Sequence, residues 1–194
     1  QSRMHQEGLV CSECHEAHTG RTKAPGNALC TRCHNLTGPA ARPHVDTSGL
    51  KHKAYDTPAH HHHTKPIACV ECHAPKRTYM VVDPRLDHSF RIPSPDLSAE
   101  TGSPNACNQC HKDRDSKWAA AAVAKWYGPQ RRAEFHYGQA FAAARGARPG
   151  AAEGLQRIAA DREQPAIVRA AAIELLGGYP SVRALELASA ALAD

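Results

Sequence analysis

All eight cysteines of the chain fall in four C-x-x-C-H pentapeptides. These are Cys11-Ser12-Glu13-Cys14-His15, Cys30-Thr31-Arg32-Cys33-His34, Cys69-Val70-Glu71-Cys72-His73 and Cys107-Asn108-Gln109-Cys110-His111. Two thiols three residues apart, followed at once by an imidazole, have the spacing for covalent attachment of c-type haem. The thiols add across the two vinyl groups of one porphyrin, and the histidine becomes the proximal iron ligand. One such pentapeptide could be half a zinc site. Four of them, with no cysteine left over, point to four haem c groups, with His15, His34, His73 and His111 as proximal ligands.

The other side of each iron needs a ligand too. The chain has 14 histidines and two methionines, Met4 and Met80. Histidine/methionine ligation raises a haem potential relative to bis-histidine, but the surplus of histidine points to four bis-His irons. His18, three residues after His15, is the foremost distal candidate, because a side chain at that offset projects toward an adjacent haem. The run His60-His61-His62-His63 can serve two haems on different sides. Adjacent helical residues diverge, whereas alternate strand residues share a face. Not all four can be ligands: on a helix His60 and His63 share a face and His61 points away from both. His88, in Asp87-His88-Ser89-Phe90, is placed to serve the third or fourth motif. His5, His44 and His52 are weaker candidates. His136 lies in a helical region and is expected to pack rather than ligate.

These groups need a scaffold. Cys11 and Cys30 start 19 residues apart, and the next gaps are 39 and 38 residues. The first two haems therefore form a tight pair, and the later gaps leave room for ligand-bearing loops. Pro58, Pro66, Pro75, Pro84, Pro93, Pro95 and Pro104 punctuate those loops, so regular structure between motifs should be short. The stretch is poor in large apolar residues, and only 5% of the chain is aromatic. Such a segment struggles to offset its conformational entropy by burial. Four porphyrins would supply the core, and the haem-free segment is expected to be unfolded.

From Asp115 the composition shifts to alanine, with no further cysteine. Asp115 or Ser116 should cap a helix over 117–127, closed by Gly128-Pro129. Further helices are expected over 130–145, over 151–160, from Pro165 to Gly177-Gly178, and from Ser181 onward. Pro165, Val168-Arg169, Ala172 and Leu176 give the P-x-x-V-R-x-x-A-x-x-x-L pattern of a HEAT-type helix with one buried stripe; a plain helical bundle is the alternative. The expected fold class is mainly α with extensive loops: a tetrahaem-wrapped domain over 1–114 and an α-helical, HEAT-like region over 115–194.

The formal charge of +5 does not point to nucleic acid. Each bis-His ferric haem with its two propionates contributes about −1, which leaves the loaded protein at about +1 oxidised and about −3 reduced. No run of 18 apolar residues marks a transmembrane helix. Haem attachment needs reduced thiols and happens outside the cytoplasm, so a periplasmic or extracellular location is expected. The sequence shows no export signal, which has been removed or lies outside it.

Several stretches resemble one family. Ala24-Pro25-Gly26-Asn27-Ala28-Leu29-Cys30 and the segment from His60 to Pro75 resemble multihaem c-type cytochromes with paired C-x-x-C-H motifs and C-terminal HEAT- or TPR-like helices. Similar too are Thr78-Tyr79-Met80-Val81-Val82-Asp83-Pro84-Arg85, the run from Asp87 to Ser98, and Pro104-Asn105-Ala106-Cys107 leading into Trp118. The resemblance covers most of residues 8–180. It implies bis-His haems, export across the inner membrane and electron transfer, with distal ligands at His18, in the His60 to His63 run and at His88. Family members usually carry more sequence at both ends. A related group, the cytochrome nanowires, polymerises tetrahaem subunits whose histidines can complete a neighbour's iron. An N-terminal segment bearing His5 would fit that behaviour.

The expectation from these readings is an electron carrier rather than an enzyme, exchanging electrons with other redox proteins and, in a filament, with copies of itself. The alternative is a reductase of small oxyanions or hydroxylamine. That would need an open iron with acid–base groups around it, and no C-x-x-C-K variant marks one.

Overall fold

A C-x-x-C step is close to one helical turn, so a single turn sets both thiols on one side of the backbone, as two vinyls of one porphyrin require. The computed structural model describes residues 2–40, 42–129, 131 and 135–192. The chain is mainly helical, with twelve helices and one two-stranded sheet among the described residues. It divides into two compact units, Gln1–Pro93 and Ser94–Asp194. This division lies upstream of the composition shift at Asp115, and the fourth motif belongs to the second unit.

In the first unit the helices are single turns: α1 (Arg3–Gln6), α2 (Cys11–Cys14), α3 (Ala28–Thr31), α4 (Pro58–His61) and α5 (Cys69–His73). A hairpin follows, β1 (Lys76–Tyr79) paired antiparallel with β2 (Asp83–Leu86). The sequence reading anticipated only short helices and loops here. The hairpin's tip is unusual: Met80 and Val81 carry φ of 49° and 71°, a region that side chains other than glycine rarely adopt. Asp87 N–H donates to the Pro75 carbonyl at 3.2 Å and closes the hairpin's base.

The histidine run also departs from expectation. Helix α4 begins with Pro58 at its first position and stops at His61, and His62 is left-handed at φ 55°. A left-handed residue ends a helix, so His60 and His63 do not share a helical face.

The second unit contains α6 (Pro95–Thr101), α7 (Cys107–Cys110), α8 (Ser116–Tyr127), α9 (Tyr137–Arg145), α10 (Ala151–Ala160), α11 (Ala166–Leu176) and α12 (Val182–Ala191). Asp115 caps α8 by accepting from Trp118 N–H at 2.8 Å. The helix expected from Gln130 starts instead at Tyr137, because His136 caps it. Its Nδ1 accepts from Gly138 N–H, and the Gln139 side chain accepts from His136 N–H. Gln130 and residues 132–134 lie outside the described residues.

Buried positions on α10 are Ala151, Leu155, Ile158 and Ala159, and on α11 Val168, Ala172 and Leu176. Both sets follow helical spacing and give each helix one apolar stripe. With Ala140, Ala144, Ala184 and Leu187 they form one core. Gly154 permits close packing there, since a Cβ at that position would sit 3.3 Å from the Ala140 Cβ.

Candidate functional site

Each of the four pentapeptides places its two cysteines about one turn apart. Three of them start a helix, and Cys30 lies within α3. Cys11 and Cys110 are exposed, and the other six cysteines are half-buried. Burial pushes the Cys14 and Cys107 thiols up. Among the described residues no three or more His, Cys, Asp or Glu converge as a bare metal-ion site. Imidazole rings instead lie close together in pairs.

A metal–imidazole bond is about 2 Å long and the ring centre lies about 1.1 Å beyond the nitrogen, so axial ligands on opposite faces of one iron have ring centres about 6.2 Å apart. The His15 and His88 rings are 6.3 Å apart with planes at 34°. The His60 and His73 rings are 6.1 Å apart with planes at 4°. Each pair joins a C-x-x-C-H histidine to a distal candidate.

The hydrogen bonds fit the same role. His15 Nδ1 lies 2.7 Å from the Gly20 carbonyl, His88 Nδ1 2.9 Å from the Leu86 carbonyl and His73 Nδ1 3.0 Å from the Arg91 carbonyl. A carbonyl only accepts, so each Nδ1 carries the proton and Nε2 is left as the coordinating nitrogen. Metal-bound histidines are fixed by second-shell bonds of this kind. Burial, with Lys53 and His73 nearby, brings His60 down to about 4, and burial also lowers His34. Both stay neutral near pH 7, the form that can ligate. The residues present therefore fit haem at the first and third motifs.

His88 had been expected to serve the third or fourth motif. The hairpin returns the chain to His15 of the first. His34 meets Tyr55 edge-on at 5.6 Å, and the same Tyr55 ring meets His60 edge-on at 5.0 Å. Tyr55 is fixed by donating its hydroxyl to the Lys51 carbonyl at 2.8 Å. In the second unit, His111 packs against Trp118 at 4.8 Å, while Asn108 donates to the His111 and Arg114 carbonyls and folds the turn between motif and helix.

The remaining candidates lie elsewhere. His18 is exposed in the turn closed by Gly20 N–H to the Glu16 carbonyl. His5 is exposed on α1. The His61 and His63 rings are tilted neighbours in one local turn, centres 6.0 Å apart, with the His63 backbone N–H donating to His61 Nδ1, and neither is a C-x-x-C-H histidine. His44 binds Glu13 at 2.9 Å.

No family model, curated protein or solved structure matches the chain.

Sequence reasoning missed three residues that join the motifs. Asn27 donates to Asp56 and to the Ile67 carbonyl, both at 2.9 Å, and accepts from Cys69 N–H at 2.8 Å. Arg42 pairs with Glu13 of the first motif at 2.8 Å and reaches Cys33 Sγ of the second at 3.5 Å. Tyr55 is the third. Asn27 stands three residues before Cys30, but nothing in the sequence marks its partners. The Cys69 thiol hydrogen-bonds to Cys30 and holds the latter down to about 7, while Cys69 is pushed up.

Proposed function

We propose that this chain is a tetrahaem c-type cytochrome that carries electrons between redox proteins outside the cytoplasm, without turning over a substrate. The observation that carries this reading is the pair of imidazole couples, His15/His88 and His60/His73, at the separation of axial ligands, each including a C-x-x-C-H histidine. When bound, haem supplies reversible one-electron chemistry at iron. The chain's residues do the rest. The cysteines would anchor the porphyrin, carbonyls at Gly20, Leu86 and Arg91 hold the imidazole protons on Nδ1, and burial keeps His60 neutral. Two histidine ligands would leave an iron no position for a substrate, which favours a carrier over a reductase. Among the described residues no helix is long and apolar enough to cross a membrane.

The test is the axial ligand set of the loaded protein. Mass spectrometry should give four covalent haems. His88→Ala and His60→Ala should each convert one low-spin iron to high-spin with all four haems still attached, whereas His18→Ala should convert none. Unchanged spin states in His88→Ala and His60→Ala would overturn the ligand assignment. A wild-type iron that binds carbon monoxide readily would favour the reductase.

A further inference from the structure

The first three motifs are joined in all three possible pairs, each time by polar side chains or loop atoms. Arg42 bridges the first and second, from Glu13 to Cys33 Sγ. Asn27, just ahead of the second motif, holds Ile67 and Cys69 at the head of the third. The loop 86–91 bridges the third and first. Its Arg91 carbonyl accepts from His73 Nδ1, and its His88 ring stands across from His15. This loop is itself fixed: Asp87 accepts from Ser89 N–H at 2.9 Å, Phe90 is left-handed at φ 45°, and its ring meets His88 edge-on at 5.3 Å. Asn27 uses both its donor and acceptor ends on groups 29 to 42 residues away. Polar networks whose members are paired favour one geometry.

We propose that the haems of the first three motifs form a closed triad, each adjacent to the other two, rather than a line running 1–2–3. Arg42, Asn27 and loop 86–91 act as the three positioning joints. This rests on the haem reading above. Irons held in such a triad would sense one another's charge and would titrate as a coupled set. In a line, removing the second haem separates the first from the third. In a triad it does not.

The experiment is potentiometric EPR on the full-length loaded protein and on Cys30→Ala/Cys33→Ala. Haem counting by mass comes first: a wild-type count of zero would sink the haem reading, and a variant count of three qualifies the test. The triad predicts that the first and third irons of the variant keep their mutual splitting and magnetic broadening at about half of wild-type size or more. Independent titration with unbroadened signals would overturn it. If that variant does not accumulate, Asn27→Ala in the four-haem protein decides. Its second–third coupling should fall while first–third coupling and the low-spin count hold. Equal loss in all pairs, or none in any, would overturn the proposal.

Discussion

The two units solve the folding problem by different means. Of the buried apolar side chains among the described residues, Ala74 alone lies in the first unit; the rest, Pro95 and those from Ala119 to Leu187, lie in the second. The second unit has a core that ordinary helix packing explains. The first has polar joints around the motifs and almost no apolar interior. A chain of that composition cannot offset its ordering entropy unaided. The difference separates two sources of stability: packed side chains in the second unit and, on the reading proposed above, covalently attached haem in the first.

The most severe way to break this comparison is to withhold haem. Chain produced without haem attachment should exchange the amides of residues 2–93 as an unfolded polypeptide does, while α10, α11 and α12 stay protected. Protection across 2–93 in the haem-free chain would mean that the joints suffice alone, and the contrast would be gone.

A smaller effect is expected from the opposite side. Leu155 is fully buried in the helical core. Leu155→Ala should destabilise the second unit by about 2–5 kcal/mol. Thermal unfolding followed by far-ultraviolet circular dichroism should register it. The low-spin signals of the first three motifs should be unchanged at temperatures below the transition. A parallel loss of those signals would show that the first unit leans on the helical core.

How much was legible follows the same division. The sequence bounds helix α10 at the residues where it lies, and Val168, Ala172 and Leu176, one stripe by their spacing, are all buried. Periodic apolar residues announce local structure, and local structure here carries the packing. In the first unit the motifs were legible because their chemistry is local. Their joints were not, since Asn27 and Arg42 act on groups far along the chain and belong to no periodic pattern. The pairing of His88 with His15 depends on a hairpin whose tip places Met80 and Val81 in a conformation their types disfavour. Propensity alone argued against that turn. His60 was legible as one of four candidates, and only the early stop of α4 at His61 separates it from its neighbours.

The fourth motif sharpens the comparison, because it is a C-x-x-C-H motif inside the unit with the apolar core. Its histidine packs against Trp118, the third residue of α8. Asp115 accepts from Trp118 N–H and is exposed at the junction of motif and helix. Losing an N-cap typically costs about 1 kcal/mol, so Asp115→Ala should lower the second unit's stability by that amount, well below the Leu155→Ala effect. The variant also loosens the turn that sets Trp118 against His111. If α8 serves the fourth site as a wall, one of the four haem signals should shift in g-value or potential while the other three stay fixed. A stability loss with four unaltered signals would make α8 a supporting helix only, and the fourth motif would then depend on its own asparagine-braced turn.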